Sequence, residues 1–174
     1  MSETTKTITY EKVFWIHISA RIFLIVYGGF LFAIPLILWW PQLLIGSIVN
    51  FLLILVALRY KRNSILIPMV MIPTIAASLH GIVFGPLTMY MLYMMPAIWI
   101  GNYILIYAVQ YFKNLQIGIL TWSFIKAGFL LLVAAILVYF WILPTIFIKF
   151  MGIFQLLTAL MWWTGVLLIK RKLF

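Results

Sequence analysis

The 174-residue chain is 67% hydrophobic and 8% charged, with a mean hydropathy of +1.23 and a formal net charge of +10. Soluble domains carry about a quarter of charged residues, so water is excluded as the solvent for most of this sequence. It has no cysteine, which excludes disulfides, thiolate metal sites and lipidated cysteines.

In chain order, residues 1–12 (MSETTKTITYEK) are polar and hold both acids of the protein, Glu3 and Glu11. They lack the basic head of a cleaved signal peptide, and the apolar run behind them ends in large residues near Trp39 and Trp40, so it reads as a retained span. Six continuous apolar runs follow one another. They predict helices at about Val13 to Leu38, Gln42 to Leu58, Ser64 to His80, Met89 to Phe112, Leu115 to Phe140 and Pro144 to Ile169. A transmembrane helix takes roughly 20 apolar residues, and a barrel would alternate in shorter segments. The fold class expected is an all-α integral membrane protein, a six-transmembrane-helix bundle in one domain over residues 13–169. A cytoplasmic tail (residues 1–12) precedes it and a basic cytoplasmic tail (residues 170–174) follows.

Charge gives the orientation. Of the twelve basic residues, nine lie in the tails or in two connections: Lys6, Lys12, Arg59, Lys61, Arg62, Lys113, Lys170, Arg171 and Lys172. The alternate connections, around Trp39 to Gln42, His80 to Thr88 and Tyr139 to Pro144, hold no charge. By the positive-inside rule the basic sites are cytoplasmic and the uncharged bends face outward. The net charge therefore reports topology and contact with anionic lipid heads, and nucleic acid is not an expected partner. Trp39, Trp40, Tyr139 and Trp141 fit an outer aromatic belt.

Pro41 and Pro144 suit helix starts, while Pro68, Pro73 and Pro96 fall inside predicted helices and predict kinks. Small residues four apart mark close-packing seams: Gly29 with Ala33, Ala77 with Gly81, Ala97 with Gly101, and Ser123 with Ala127.

Three cations, Arg21, Lys126 and Lys149, fall within spans that contain no acid. Each costs about 2.5–3.5 kcal/mol at a helix centre on insertion scales. Lys149 is roughly 7 Å into its helix and Arg21 roughly 12 Å; both can snorkel to headgroups or serve an anion. Lys126 is about eleven residues in, near mid-bilayer, and is the strongest candidate for a bound anion, with helix carbonyls, water or lipid phosphate as alternative partners. The fourth span sets Trp99, Asn102, Tyr103 and Gln110 on one broad face, the last sets out Gln155, Thr158 and Trp162, and the third Thr74, Ser78 and Gly81. These faces are candidates either for interhelical hydrogen bonding or for lining one polar cavity.

The histidines differ in depth by roughly 20 Å, His17 near the inner side and His80 near the outer. They cannot share a haem or a metal ion, and neither has a carboxylate or cysteine nearby. With no embedded acid, no Ser–His–carboxylate set and no glycine-rich phosphate loop, neither an enzyme nor a cofactor is expected. A proton-coupled carrier is disfavoured on the same ground, so active transport would need a separate ATPase.

The stretches HGIVFGPLTMYMLYMMPAIWIGN (His80 to Asn102) and FQLLTALMWWTG (Phe154 to Gly165), with the six-span architecture and very few acids, resemble the S-components of energy-coupling-factor transporters. These are the substrate-capture subunits of those systems. The resemblance implies uptake of a small nutrient-like molecule, driven through a transmembrane coupling subunit by two ATPases in the cell membrane. It further implies a site near Trp39, Trp40, His80, Trp99, Asn102, Lys149 and Gln155, to which the residue-level reading adds Lys126. One family feature is missing: alanines four apart in the inner half of the first helix, where Ser19 is followed here by Phe23 and Ala20 by Leu24. Two other readings stay open, an accessory or scaffold subunit of a larger membrane complex and a lipid-handling protein.

Overall fold

The computed structural model describes residues 20–37, 42–80, 87–111 and 115–161. Among them the chain is helical, with no strand. Six helices follow in order: α1 (Ala20–Ile37), α2 (Gln42–Arg59), α3 (Asn63–His80), α4 (Thr88–Tyr111), α5 (Leu115–Tyr139) and α6 (Ile146–Met161). Two of them, α4 and α5, are long and apolar enough to cross a membrane. Where both ends of a helix are described, the bounds fall within a residue of those expected from the apolar runs. Residues 13–19 and 38 of the first expected span, and 162–169 of the last, lie outside the described residues.

The surface carries many large apolar side chains, and a few polar ones are buried within an otherwise apolar interior. Asn102 (4% exposed), Lys126 (5%), Asn50, Thr74 and Thr158 are buried, whereas Ile25 is 74% exposed and Leu79 69%. Such a surface suits hydrocarbon, and the interior gathers the polar groups that hydrocarbon would penalise.

Packing brings α4 to the centre. It lies against α2, α3 and α5, while α1 packs on α3 and α6 on α5. One apolar cluster joins α1 to α4 through Leu31, Leu53, Leu66, Met69 and Leu105; a second joins α4, α5 and α6 through Met94, Leu130, Ala134 and Phe147. In lipid, burial of apolar area does little to hold helices together, so close packing and interhelical hydrogen bonds carry more of the load. The Tyr27 hydroxyl donates to the Leu52 carbonyl at 2.9 Å, and the Gln110 amide donates to the Tyr60 carbonyl at 2.9 Å.

Two local devices shape the end of α5 and the course of α6. The helix α5 stops in a Schellman turn: the Trp141 N–H donates to the Val138 carbonyl and the Ile142 N–H to the Leu137 carbonyl, both at 2.9 Å. Trp141 holds the left-handed position of that motif with φ +59°, a place usually given to glycine. In α6, residues Phe150–Phe154 widen into a π-helical turn before α-helical geometry resumes at 155–161. Such a turn takes up one extra residue and recurs at functional sites.

Three of the expected proline positions hold. Pro68 and Pro73 lie inside α3 and Pro96 inside α4. Pro35 is a further internal proline, in α1. Among the small-residue seams, Ala97 and Gly101 face α5, where Gly101 lies so close that an added Cβ would sit 3.3 Å from Cγ of Lys126. Among the described residues no neighbouring atom lies within 4 Å of the corresponding point on Gly29, and it is Gly28 that meets Ile72 and Met69 of α3. The seam read at Gly29 and Ala33 is therefore shifted by one residue at its glycine. A spacing of four cannot tell which of two adjacent glycines faces the neighbour.

Candidate ligand-binding site

Lys126 sits halfway along α5, its side chain crossing Gly101 of α4. A larger residue at 101 would bar that path. The ammonium group donates to Oδ1 of Asn102 at 2.7 Å and to Oδ1 of Asn50 at 2.8 Å, so three helices meet at one nitrogen. The amide of Asn102 is oriented by its other end, since Nδ2 donates to the Val70 carbonyl of α3 at 3.3 Å. An amide has a donor and an acceptor end, and with Nδ2 committed to a carbonyl its oxygen must face the lysine. The local backbone supports this: Pro73 has no N–H to offer Met69 and its ring crowds that carbonyl, which weakens the helical ladder next to Val70.

The cluster forms one wall of a cavity in which the centre of a water molecule can range over about 100 Å³. A single water needs roughly 10–15 Å³ on that measure, so there is room for several waters or a small molecule. Asn50, Thr74, Asn102, Lys126 and Gln155 supply its polar atoms, and Pro35, Ile45, Val49, Ile98 and Met151 much of its apolar wall. Met151 belongs to the π-helical turn and Gln155 follows it directly, so this turn helps to set the wall of the cavity. The lining residues lie late in α1 and α3, in the first half of α2, from the start of α4 to just past its middle, at the middle of α5 and on either side of the middle of α6. The cavity thus lies towards the helix ends at Ile37, Gln42, His80 and Thr88, with Lys126 at its deep end.

Of the residues expected at a site, Asn102, Lys126 and Gln155 are brought together. Trp99 is half-buried and outside the cavity lining, and its indole N–H is buried without a hydrogen-bond partner among the described residues. Lys149 is exposed and also outside the lining. Trp39 and Trp40 lie outside the described residues, as do the side chains of His80 and Arg21. The polar face read along α4 divides: Asn102 serves the lysine, the Tyr103 hydroxyl donates to Asn63 Oδ1 at 3.2 Å, and Gln110 ties to α2. Of the other two faces, Thr74 and Gln155 reach the cavity, while Thr158 is buried and donates to the Gln155 carbonyl at 2.9 Å.

Asn50 is the residue that sequence reasoning missed. A single asparagine within an apolar run was its only signal. It could have been found by asking what neutral acceptor might meet Lys126, given that no Asp or Glu follows Glu11.

Chemically, the cluster is an ammonium donor held by two neutral oxygens. The oxygens solvate a charge without cancelling it, and buried charges call for a counter-charge. The arrangement is suited to receive an anion. No family model, curated protein or solved structure matches this chain.

Proposed function

We propose that this protein is a membrane-embedded substrate-binding subunit that captures a small, anionic, nutrient-like molecule for uptake. The observation that carries the reading is Lys126, buried against Asn50 and Asn102 at the deep end of a cavity, in a chain with no acid beyond residue 11. A lysine kept only for packing would be a costly choice in a bilayer.

The same proposal includes six spans with both termini cytoplasmic. The described portions of α1, α2 and α3 have 18 residues each, within the range of about 17–25 for a spanning helix. The charge pattern then directs the cavity half of the bundle outward, the side from which a nutrient arrives. Energy would come from partner subunits, a transmembrane coupling protein with ATPases, as the resemblance to S-components of energy-coupling-factor transporters implies. The cavity weighs against a pure scaffold role, for which a solid core would serve better.

The test is native mass spectrometry of the protein purified from its own membrane, with released small molecules identified after denaturation. A stoichiometric small anion in the wild-type protein, absent from Lys126→Met, is the expected result. Preparations free of any small molecule, together with no binding of nutrient anions, would remove the capture reading.

A further inference from the structure

The geometry points to a ligand with a single negative charge on a short apolar body, a small aliphatic monocarboxylate, seated with its carboxylate on Lys126. This rests on the capture reading above and specifies its substrate class.

The charge count is the first argument. Lys126 is the only ionisable side chain among the described residues that line the cavity, and no acid accompanies it in the spans. A monoanion brings the closed site to neutrality. A neutral ligand leaves one positive charge buried, and a dianion leaves one negative charge, each at an electrostatic penalty in a medium of low dielectric constant.

The second argument is the number of donors. An ammonium group has three N–H bonds, and Asn50 and Asn102 accept two of them. One remains for a ligand oxygen. Thr74 and Gln155 can add neutral donors from other walls. A phosphate group, with about −1.5 to −2 charges and three strong acceptor oxygens, asks for more cationic donors than this site holds. A carboxylate is served by one ammonium hydrogen and one or two neutral ones.

The third argument is the remainder of the wall. Ile45, Val49, Ile98 and Met151 surround the space away from the lysine, which favours a hydrocarbon body and offers little to a polyhydroxylated one.

The experiment uses the full chain in nanodiscs of zwitterionic lipid and measures binding by calorimetry for four probes: butanoate, butanamide, succinate and inorganic phosphate. Butanoate is expected to bind at least about tenfold more tightly than each of the others. In Lys126→Gln the preference for butanoate over butanamide should fall by about tenfold or disappear. Equal binding of butanamide to the wild type, or tighter binding of succinate or phosphate, overturns the single-charge assignment, and the wild-type panel decides this even if the variant does not fold. Tight succinate or phosphate binding that depends on Lys126 would leave capture standing with a different substrate class. Failure of capture itself is read separately, from the native mass spectrum.

Discussion

The Nζ of Lys126 and the Oδ1 of Asn102 lie 2.7 Å apart, and the same asparagine is anchored through Nδ2 to the Val70 carbonyl. One residue of α4 thereby joins α5 to the proline-containing turn of α3. Asn50 closes the arrangement from α2 at 2.8 Å, so the position of the ammonium group depends on four helices.

This coupling predicts non-additive mutations. Asn102→Leu removes one acceptor and leaves the lysine buried with a single partner, which should cost about 1.5–3 kcal/mol, as for hydrogen bonds to charged groups. In a Lys126→Met background the same change should cost far less, because no charge is left to solvate. A double-mutant cycle of unfolding in detergent measures the difference, and additivity would show that the two residues do not cooperate.

Gly101 should respond to size. An added Cβ would meet Lys126 Cγ at 3.3 Å and Leu130 Cγ at 3.5 Å. Gly101→Ala requires a small shift and gains about 0.5–1 kcal/mol of helix preference, leaving stability nearly unchanged. Gly101→Leu cannot be accommodated along the path of the lysine stem and should destabilise by about 1–3 kcal/mol while abolishing ligand binding. Thermal melts and calorimetry on the two variants provide the check.

Trp141 offers a separation of stability from membrane anchoring. Its left-handed backbone costs a non-glycine residue about 1–2 kcal/mol, so Trp141→Gly should stabilise the end of α5 by about 1 kcal/mol in detergent. The ring is almost wholly exposed, and the proposed topology puts it at the outer headgroups. Single-tryptophan variants that retain Trp141 should therefore be quenched most strongly by brominated lipids labelled near the glycerol level. Strong quenching only by tail-end bromines would refute this placement.

The proposed topology is accessible to labelling because the chain has no cysteine of its own. In intact cells, Phe84→Cys should react with an impermeant thiol reagent added outside, and Asn63→Cys should react only after the cytoplasmic side is opened. The reverse pattern would invert the bundle.

The helices were legible in the sequence because long apolar runs closed by short breaks become helices. Lys126 was legible for a related reason, since a cation deep in a run without acids needs a partner. The rotation of each helix about its axis was not. A helix apolar on nearly every side, such as α2, gives no sign of which face turns inward, and so Asn50 passed as one polar residue among many apolar ones. Along α4, Trp99, Asn102, Tyr103 and Gln110 occupy one arc, yet three different neighbours divide it. Lys149 was read both as a site residue and as a snorkelling cation near a helix start, and it is exposed and outside the cavity lining.

The wide turn at Phe150–Phe154 means that α6 holds a spare residue at the level of the cavity. The surplus is confined to one loop of backbone, so the flanking turns keep their facing: Phe147 stays among Met94 and Leu130, and Thr158 stays against Gly46. Met151 within the widened turn and Gln155 directly after it thereby come to line the same cavity as Lys126.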